Sequence, residues 1–569
     1  MSALFGMTAD NAIAHVLATN PAFALTDTDI RGVSYRVFQN APPHVSAMLY
    51  GSREAQGNGS FEYLVYGDER WTFDDFLNDV SRMAHVLRGT FGVVKGQPVA
   101  IAMRNCPELM IMTMAIASVG AVTVFVNAWW TTDELDYALK DSGAKLIFAD
   151  GDRAIRMASL VDPLALTLVG VRDADGKTDK SYKSLINSVG NNTQVNVDID
   201  TDDDFAIMYS SGTTGHPKGV VQTHRGAINA VFTWLLQGAS APFTADAEPD
   251  PDNPAPRPSV LIVTPLFHVT ATHPMFLLSI PAGAKVALIY KWDAAEAVRI
   301  IRDEKITRFL GVPTQSADLM TAAREMDETL PTLDYMGSGG AKRPAAQVAE
   351  LADLFPNAVV STGWGMTETN AVGIGMGGDD YEARPGAAGK PHPPLQDVIF
   401  LDEDGTEVPQ GSVGEITVKS ACNMRCYLNK PDATAEVFQN GWLRTGDLGY
   451  IDDDGFITIV DRKKNIIIRG GENIACLDVE GALHRHPSVA EACVFSVPDD
   501  RLGEVVGAGV QLKAGHAATV SDLQTFLMDH IAKFKVPQHI WLQSVPLPRG
   551  ATDKIDRRAL QAICLKDNT

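Results

Sequence analysis

The sequence predicts an α/β protein built on large, mainly parallel sheets with helices on both faces. Three observations predict it. Short β-branched runs alternate with helical patterns over most of the 569 residues. The strand-like runs are apolar throughout, as strands covered on both faces are. After about residue 395 the helices thin out and short strand–turn units take over.

The elements follow in chain order. "LMIMTMAIASVGAVTVFVNAWW" (109–130) is nearly charge-free and about long enough to cross a bilayer. Gly120 divides it into a helix-like half and a β-branched half, which predicts a buried helix leading into a buried parallel strand. "KLIFAD", "DFAIMYS", "VLIVTP", "KVALIY", "ITRFLGV" and "AVVSTGWG" read as further buried strands, with helices at "AAEAVRIIRDEK" and "AAQVAELADLF". The Pro- and Asp-rich stretch 239–260 reads as a solvated excursion between a helix and a strand. Asp-Gly pairs at 404–405 and 454–455 predict hairpins, and a compact α/β tail starts near "LDVEGALHRHP".

Composition narrows the function. The 70 acidic and 48 basic residues give a formal charge of −22, which argues against non-specific binding to nucleic acid or an anionic membrane. An anionic substrate must then meet local positive charge. Six cysteines without a CxxC pair read as free thiols. The first residues lack a basic region followed by a long apolar core, so no signal peptide is expected, and a cytoplasmic location is. No integral membrane segment is expected, and a homodimer is left open.

"YSSGTTGHPKGV" (209–220) gathers hydroxyls, glycines and a lysine directly after a predicted strand, where α/β proteins bind ligands. It looks like a phosphate cradle made of Ser210, Ser211, Gly212, Thr213, Thr214, Gly215 and Lys218, although GxxxxGK[ST] does not fit it. Two other patterns mislead. "GIGMGG" (373–378) satisfies GxGxxG, but "DDYEARPG" after it reads as a loop. "LHRHP" (483–487) has two histidines and no third metal ligand.

The cradle is followed, in order, by "PLFHV" (265–269), "GSGGA" (337–341), "GWGMTET" (363–369), "GWLRTGDLG" (441–449), "DRKKNIIIRGGENI" (461–474) and "PLPRGATDKIDRRAL" (546–560). Seven motifs in this order resemble the adenylate-forming superfamily, which includes acyl-CoA synthetases, firefly-type luciferases and peptide-synthetase adenylation domains. The resemblance implies a large N-terminal domain, 1–463, of two mainly parallel sheets, with a β-barrel-like subdomain at about 395–463. A small mobile α/β domain, 464–569, would follow and carry the catalytic lysine.

It also implies an ATP-dependent acid–thiol ligase that uses ATP, Mg2+ and coenzyme A. The acid is first joined to AMP and then passed to CoA. Lys554 would bridge the carboxylate and the α-phosphate; Asp553 stands before it where the family has glycine. Thr367 would contact the α-phosphate, and Glu368, with Thr213, would hold magnesium. Gly339, Gly340 and Ala341 would lie against adenine, alongside Gly363, Trp364, Gly365 and Met366. Asp447 would anchor the ribose, and Arg462 would add a nucleotide contact. Lys464 aligns with the family's hinge, and Gly470, Gly471 and Glu472 would arrive after the domain swings to admit CoA. His268 would line the site between the acyl and pantetheine channels.

The acyl pocket implied by the resemblance offers Trp234, Phe267, Met275, Val312, Pro313, Trp364 and Met366. That lining carries neither a carboxylate for an ammonium nor a cation for a second carboxylate. A monocarboxylic acid is expected, aliphatic first, with an aryl or aryl-aliphatic acid as the alternative. A nucleotide-binding relative without catalysis is the reading from another class.

Overall fold

The structure is a computed structural model and describes residues 5–174, 178–210, 217–245, 256–550 and 553–566. Two large sheets form its body. The eight-stranded sheet runs, in spatial order, through Cys426–Tyr427, Lys218–Thr223, Asp204–Ser210, Val122–Phe125, Pro98–Ala102, Leu146–Asp150, Thr167–Val171 and Lys180–Ser181. From Asp204–Ser210 onward its neighbours are parallel. The nine-stranded sheet has a parallel centre of Val359–Trp364, Tyr335–Gly339, Arg308–Gly311, Ser259–Ile262, Lys285–Leu288 and Glu62–Tyr66. The strand and helix expectations at all eight quoted runs are met.

The main core lies between these sheets. Residues 109–130 supply the helix Pro107–Ser118 and the strand Val122–Phe125. Every residue of that helix except Glu108 is buried, so an all-round apolar helix is packed between sheets and not in lipid. Among the described residues, no helix is long and apolar enough to cross a membrane. Fully burying a Leu, Ile or Met side chain stabilises by about 1.5–3 kcal/mol, and one connected cluster holds Leu109, Ile111 and Met114 with Phe148 of one sheet and Ile262 of the other.

A third, antiparallel sheet spans Asp397–Leu401, Gly414–Lys419, Trp442–Ile451, Phe438–Gln439 and Ile457–Arg462, in the β-rich region expected. The Asp-Gly turns place Gly405 at φ 82° and Gly455 at φ 83°. A separate sheet between Ile466 and Gln543 builds the small C-terminal domain. All six cysteines are free.

Two local expectations need correction. The helix His224–Thr244 runs into the stretch read as an excursion, with Pro242 inside it. Its end is held from outside: Met7 N–H donates to Phe243 O at 3.0 Å and Phe5 stacks on Phe243. After "GIGMGG" a short helix, Asp379–Ala383, does form. The pattern itself lies in a strand, Ile374–Gly377, that is antiparallel to both its neighbours, so it still lacks the parallel βα setting of a dinucleotide site.

Candidate active site

The carboxyl edge of the nine-stranded sheet carries several predicted residues, with Tyr290 beyond them, in a row. Trp364 ends one strand, Gly339 the next, Val312 follows the third, Phe267 and His268 follow the fourth, and Tyr290 follows the fifth. Loops diverge at such edges, which is where open α/β sheets bind ligands.

The cradle leaves the other sheet as a hairpin. Ser210 and Lys218 are direct antiparallel partners at its two ends, which is why a strand–loop–helix phosphate pattern does not describe it. Ser211, Gly212, Thr213, Thr214 and Gly215 lie outside the described residues. Lys218 Nζ stands 4.7 Å from the centre of the Tyr427 ring, a cation–π contact. The Tyr427 hydroxyl in turn donates to Glu368 Oε1 at 2.9 Å. Glu368 is buried, which raises its carboxyl above the usual range, while Arg462 and Lys218 act in the opposite sense. Thr367 is held beside it by Gln222 Nε2, which donates to the Thr367 carbonyl at 2.9 Å.

Asp447 comes from the third sheet. Its Oδ2 accepts the Trp364 indole N–H at 2.7 Å and its Oδ1 lies 3.3 Å from Arg462 Nε, its direct partner across the strand pair. Burial raises the Asp447 carboxyl, with Arg462 the main opposing charge. The indole thus stands fixed between the nucleotide motif and a carboxylate.

Lys554 reaches this group from the C-terminal domain. Gly340 has φ +78°, and a Cβ there would stand 2.6 Å from Lys554 Cε and 2.7 Å from its Nζ. Only a residue without a side chain leaves the lysine that space. Desolvation pushes the ammonium down to about 8, with Arg462 adding repulsion and Asp447 attraction. His268 is within electrostatic reach of the same lysine. Burial pushes it down to about 3, so the ring is neutral near pH 7. Thr270 N–H donates to its Nδ1 at 3.3 Å, which leaves the ring proton on Nε2.

Asp553 adopts φ +61°, the left-handed conformation that glycine favours and Asp tolerates. Arg549 Nη1 donates to its carbonyl at 2.7 Å, and Thr314 Oγ1, on the large domain, donates to Asp553 Oδ2 at 3.4 Å. The backbone therefore delivers Lys554 as a glycine would.

Other predicted residues stand apart. Gly470 and Gly471, at φ 57° and 91°, form the turn between Ile466–Arg469 and Glu472–Ala475 and are exposed with Glu472. Lys464 lies in the turn Lys463–Asn465 and is pushed down to about 8 by desolvation and by Arg462. Phe267 joins the main core, whereas Trp234 packs against the cluster of Val16, Phe23, Phe38 and Leu236. Val312 caps the helix Pro313–Glu325. Gly365 is packed so that a Cβ would meet Ala371 O at 2.3 Å, and Met366 borders Tyr427. Ala341 is exposed next to Gly340, and Gly363 pairs with Gly339. The residue that the sequence did not suggest is Tyr427.

Comparison with known proteins adds independent support. Residues 52–428 match the AMP-binding enzyme family and 478–554 its C-terminal domain. The chain is 32% identical to a long-chain-fatty-acid–CoA ligase of Bacillus subtilis, over 87% of this chain and 90% of that protein. It is 31% identical to a 2-succinylbenzoate–CoA ligase of a Geobacillus species, over 87% and 93%. A solved structure of the o-succinylbenzoate CoA synthetase of Bacillus subtilis, in complex with ATP and magnesium, aligns with a TM-score of 0.76 at 27% identity. That alignment covers 90% of this chain and 99% of that one.

Proposed function

This chain belongs to the AMP-binding enzyme family and is an ATP-dependent, AMP-forming acid–CoA ligase, and on that premise we propose that its acid is a monocarboxylic one with an aliphatic tail. What carries the choice is that none of the positions the resemblance assigns to the acyl pocket, Trp234, Phe267, Met275 and Val312, is charged. A second carboxylate or an ammonium on the substrate would be stranded there without a counter-charge. The fatty-acid ligase similarity supports this reading. The 2-succinylbenzoate similarity and the aromatic rings of Trp234 and Phe267 favour the second reading, an aryl or aryl-aliphatic acid.

The residues divide the work as follows. A carboxylate oxygen bonds to the α-phosphorus of ATP and pyrophosphate leaves; the Lys554 ammonium lies over Gly340, where charge gathers on the reacting oxygens. Asp447 accepts the ribose hydroxyls, and the Trp364 indole, tied to Asp447, shields the nucleotide. Arg462 balances the Asp447 charge, and Thr367 donates to the α-phosphate. Ser210, Lys218 and the cradle between them hold the departing phosphates.

Glu368 fits a divalent ion: it is a buried carboxylate that accepts the Tyr427 hydroxyl and has Arg462 and Lys218 among its compensating charges. Magnesium, when bound, offsets phosphate charge there. In the second half-reaction the CoA thiol gives its proton to solvent, its sulfur bonds to the acyl carbon, and the acyl–phosphate bond breaks as AMP leaves. The domain boundary at Lys464 lets the C-terminal domain turn, withdrawing Lys554 and bringing the Gly470–Gly471 turn to the thiol route. Neutral His268 lines that route and carries no proton away.

The test is acid-dependent ATP–pyrophosphate exchange over acids graded by chain length and ring content, followed by thioester formation with CoA. Exchange strongest with aliphatic acids is expected. Preference for ring acids moves the assignment to the second reading, exchange without thioester removes the ligase function, and no exchange with any acid leaves a nucleotide-binding protein.

A further inference from the structure

We propose that Gln237 and His392 form the end wall of the acyl pocket, and that the acid carries a hydroxyl on its tail which this wall recognises. The inference rests on the ligase reading and narrows its acid.

Three adjacent strands supply a floor. Gly339 is the direct partner of Gly363, and Gly363 that of Gly375, so the three glycines share one face of the nine-stranded sheet. That face is opposite to the one from which Trp364 reaches Asp447, because side chains alternate along a strand. It is bare. A Cβ on Gly363 would touch only Ile374 O, at 3.9 Å, and one on Gly339 only Gly363 O, at 3.3 Å. The floor starts beside Gly340, where Lys554 rests. It ends at Gly375, two strand spacings or about 10 Å away.

His392 stands at that end. The Cε1–Nε2 edge of its ring covers Gly375, where a Cβ would come within 2.7 Å of Cε1 and 3.0 Å of Nε2. Its backbone N–H donates to Gly373 O at 2.9 Å. The other edge of the ring faces the helix His224–Thr244, on which Gln237 lies one turn beyond Trp234. Gln237 Nε2 and His392 Nδ1 are 2.7 Å apart. Burial alone pushes the imidazole down to about 4, so it is neutral near pH 7.

The pair satisfies only half of itself. As placed, the Gln237 N–H donates to Nδ1, which leaves the His392 Nε2–H as a donor and Gln237 Oε1 as an acceptor. With the amide turned over, the imidazole supplies the acceptor and the amide the donor. Either way one of each remains without a protein partner among the described residues, and neither atom is sealed. Both side chains are half-buried. A hydroxyl donates and accepts at once and so satisfies both groups, whereas the methyl end of a plain chain would bury both unpaired. A carboxylate or an ammonium would bring a charge that a neutral pair does not balance.

Acid-dependent pyrophosphate exchange by the full chain tests this with matched acids. One series pairs straight-chain alkanoic acids with their ω-hydroxy counterparts, and the other pairs phenylalkanoic acids with their hydroxyphenyl counterparts. In the series the enzyme accepts, the hydroxylated member should have the higher kcat/KM, by about tenfold at the length that reaches His392. His392→Leu and Gln237→Leu should each bring that ratio near one, through the KM for the hydroxylated acid. His392→Gln, which keeps a neutral donor and acceptor, should retain part of it. A hydroxylated acid no better than its parent at any length, or a ratio that survives both leucine variants, overturns the proposal and leaves the monocarboxylic reading in place. If the wild type exchanges with no acid, the ligase reading fails on its own. Calorimetric titration of the same pairs then decides the wall: tighter binding of the hydroxylated acid, lost in Gln237→Leu, supports it, and equal binding overturns it.

Discussion

In the proposed mechanism the first half-reaction turns on Lys554. Replacing it with alanine removes the cation over Gly340 and should lower acid-dependent pyrophosphate exchange on the order of 10²-fold or more. Thioester formation from supplied acyl-AMP should change by less than about threefold. Equal losses in both steps would show that the lysine serves both. Its ammonium, pushed down to about 8, is charged below that pH and neutral above it. Exchange should therefore hold from neutrality to about pH 8 and fall as pH rises further. Lys464 is also pushed down to about 8, so the two are separated by substitution. Lys554→Arg should remove the alkaline decline, since arginine stays charged, and Lys464→Arg should leave it in place. The sequence singles out Lys554, Asp447 and Glu368 because each sits in one of the motifs that resemble the adenylate-forming superfamily. Tyr427 is not singled out. It lies 59 residues from Glu368, and it reaches that carboxylate only because Cys426–Tyr427 pairs with Val220–Val221 at a sheet edge. No local pattern encodes such a contact.

At the scale of elements, two turns carry opposite expectations. Gly340→Ala puts a methyl where Lys554 rests and forces a side chain into φ +78°. The second effect alone costs about 1–2 kcal/mol, and exchange should fall about tenfold as the ammonium is displaced. Asp553→Gly should be nearly silent, because the glycine adopts φ +61° freely and loses only the 3.4 Å bond from Thr314 and a loose contact with Arg549. Stability within about 1 kcal/mol of wild type by chemical denaturation, with exchange within about threefold, is expected. A tenfold loss would give the carboxylate a part of its own. Strands and long helices were legible here because apolar runs report burial on both faces directly. The end of His224–Thr244 was not, since a Pro-containing turn of helix is held there by Phe5 and Met7 from the far end of the chain. Asp379–Ala383 escaped notice because five residues, three of them acidic and one aromatic, are too few to show a helical period.

For the whole molecule the issue is alternation. Lys554 is seated over Gly340 and the Gly470–Gly471 turn is exposed elsewhere, so the proposed mechanism requires a second arrangement for CoA. Lys464→Pro fixes φ near −65° at the connection between the two domains. Exchange should persist within about threefold, while thioester formation from acyl-AMP should fall at least tenfold. Loss of exchange with thioester formation retained would place the pivot elsewhere. The two large sheets and the small final one were legible as classes of structure. Their contact across Thr314 and Asp553 was not, because 239 residues separate the partners and Thr314, unlike Asp553, lies in none of the motifs.

The strand order also bears on inhibition. Trp364, Gly339, Val312, His268 and Tyr290 follow five adjacent strands, so the row measures about 19 Å across at the usual strand spacing. A compact competitor can block only one end of such a row. Two small inhibitors, one seated at the Trp364 end and one at the Tyr290 end, should therefore bind together, and their effects should multiply instead of competing.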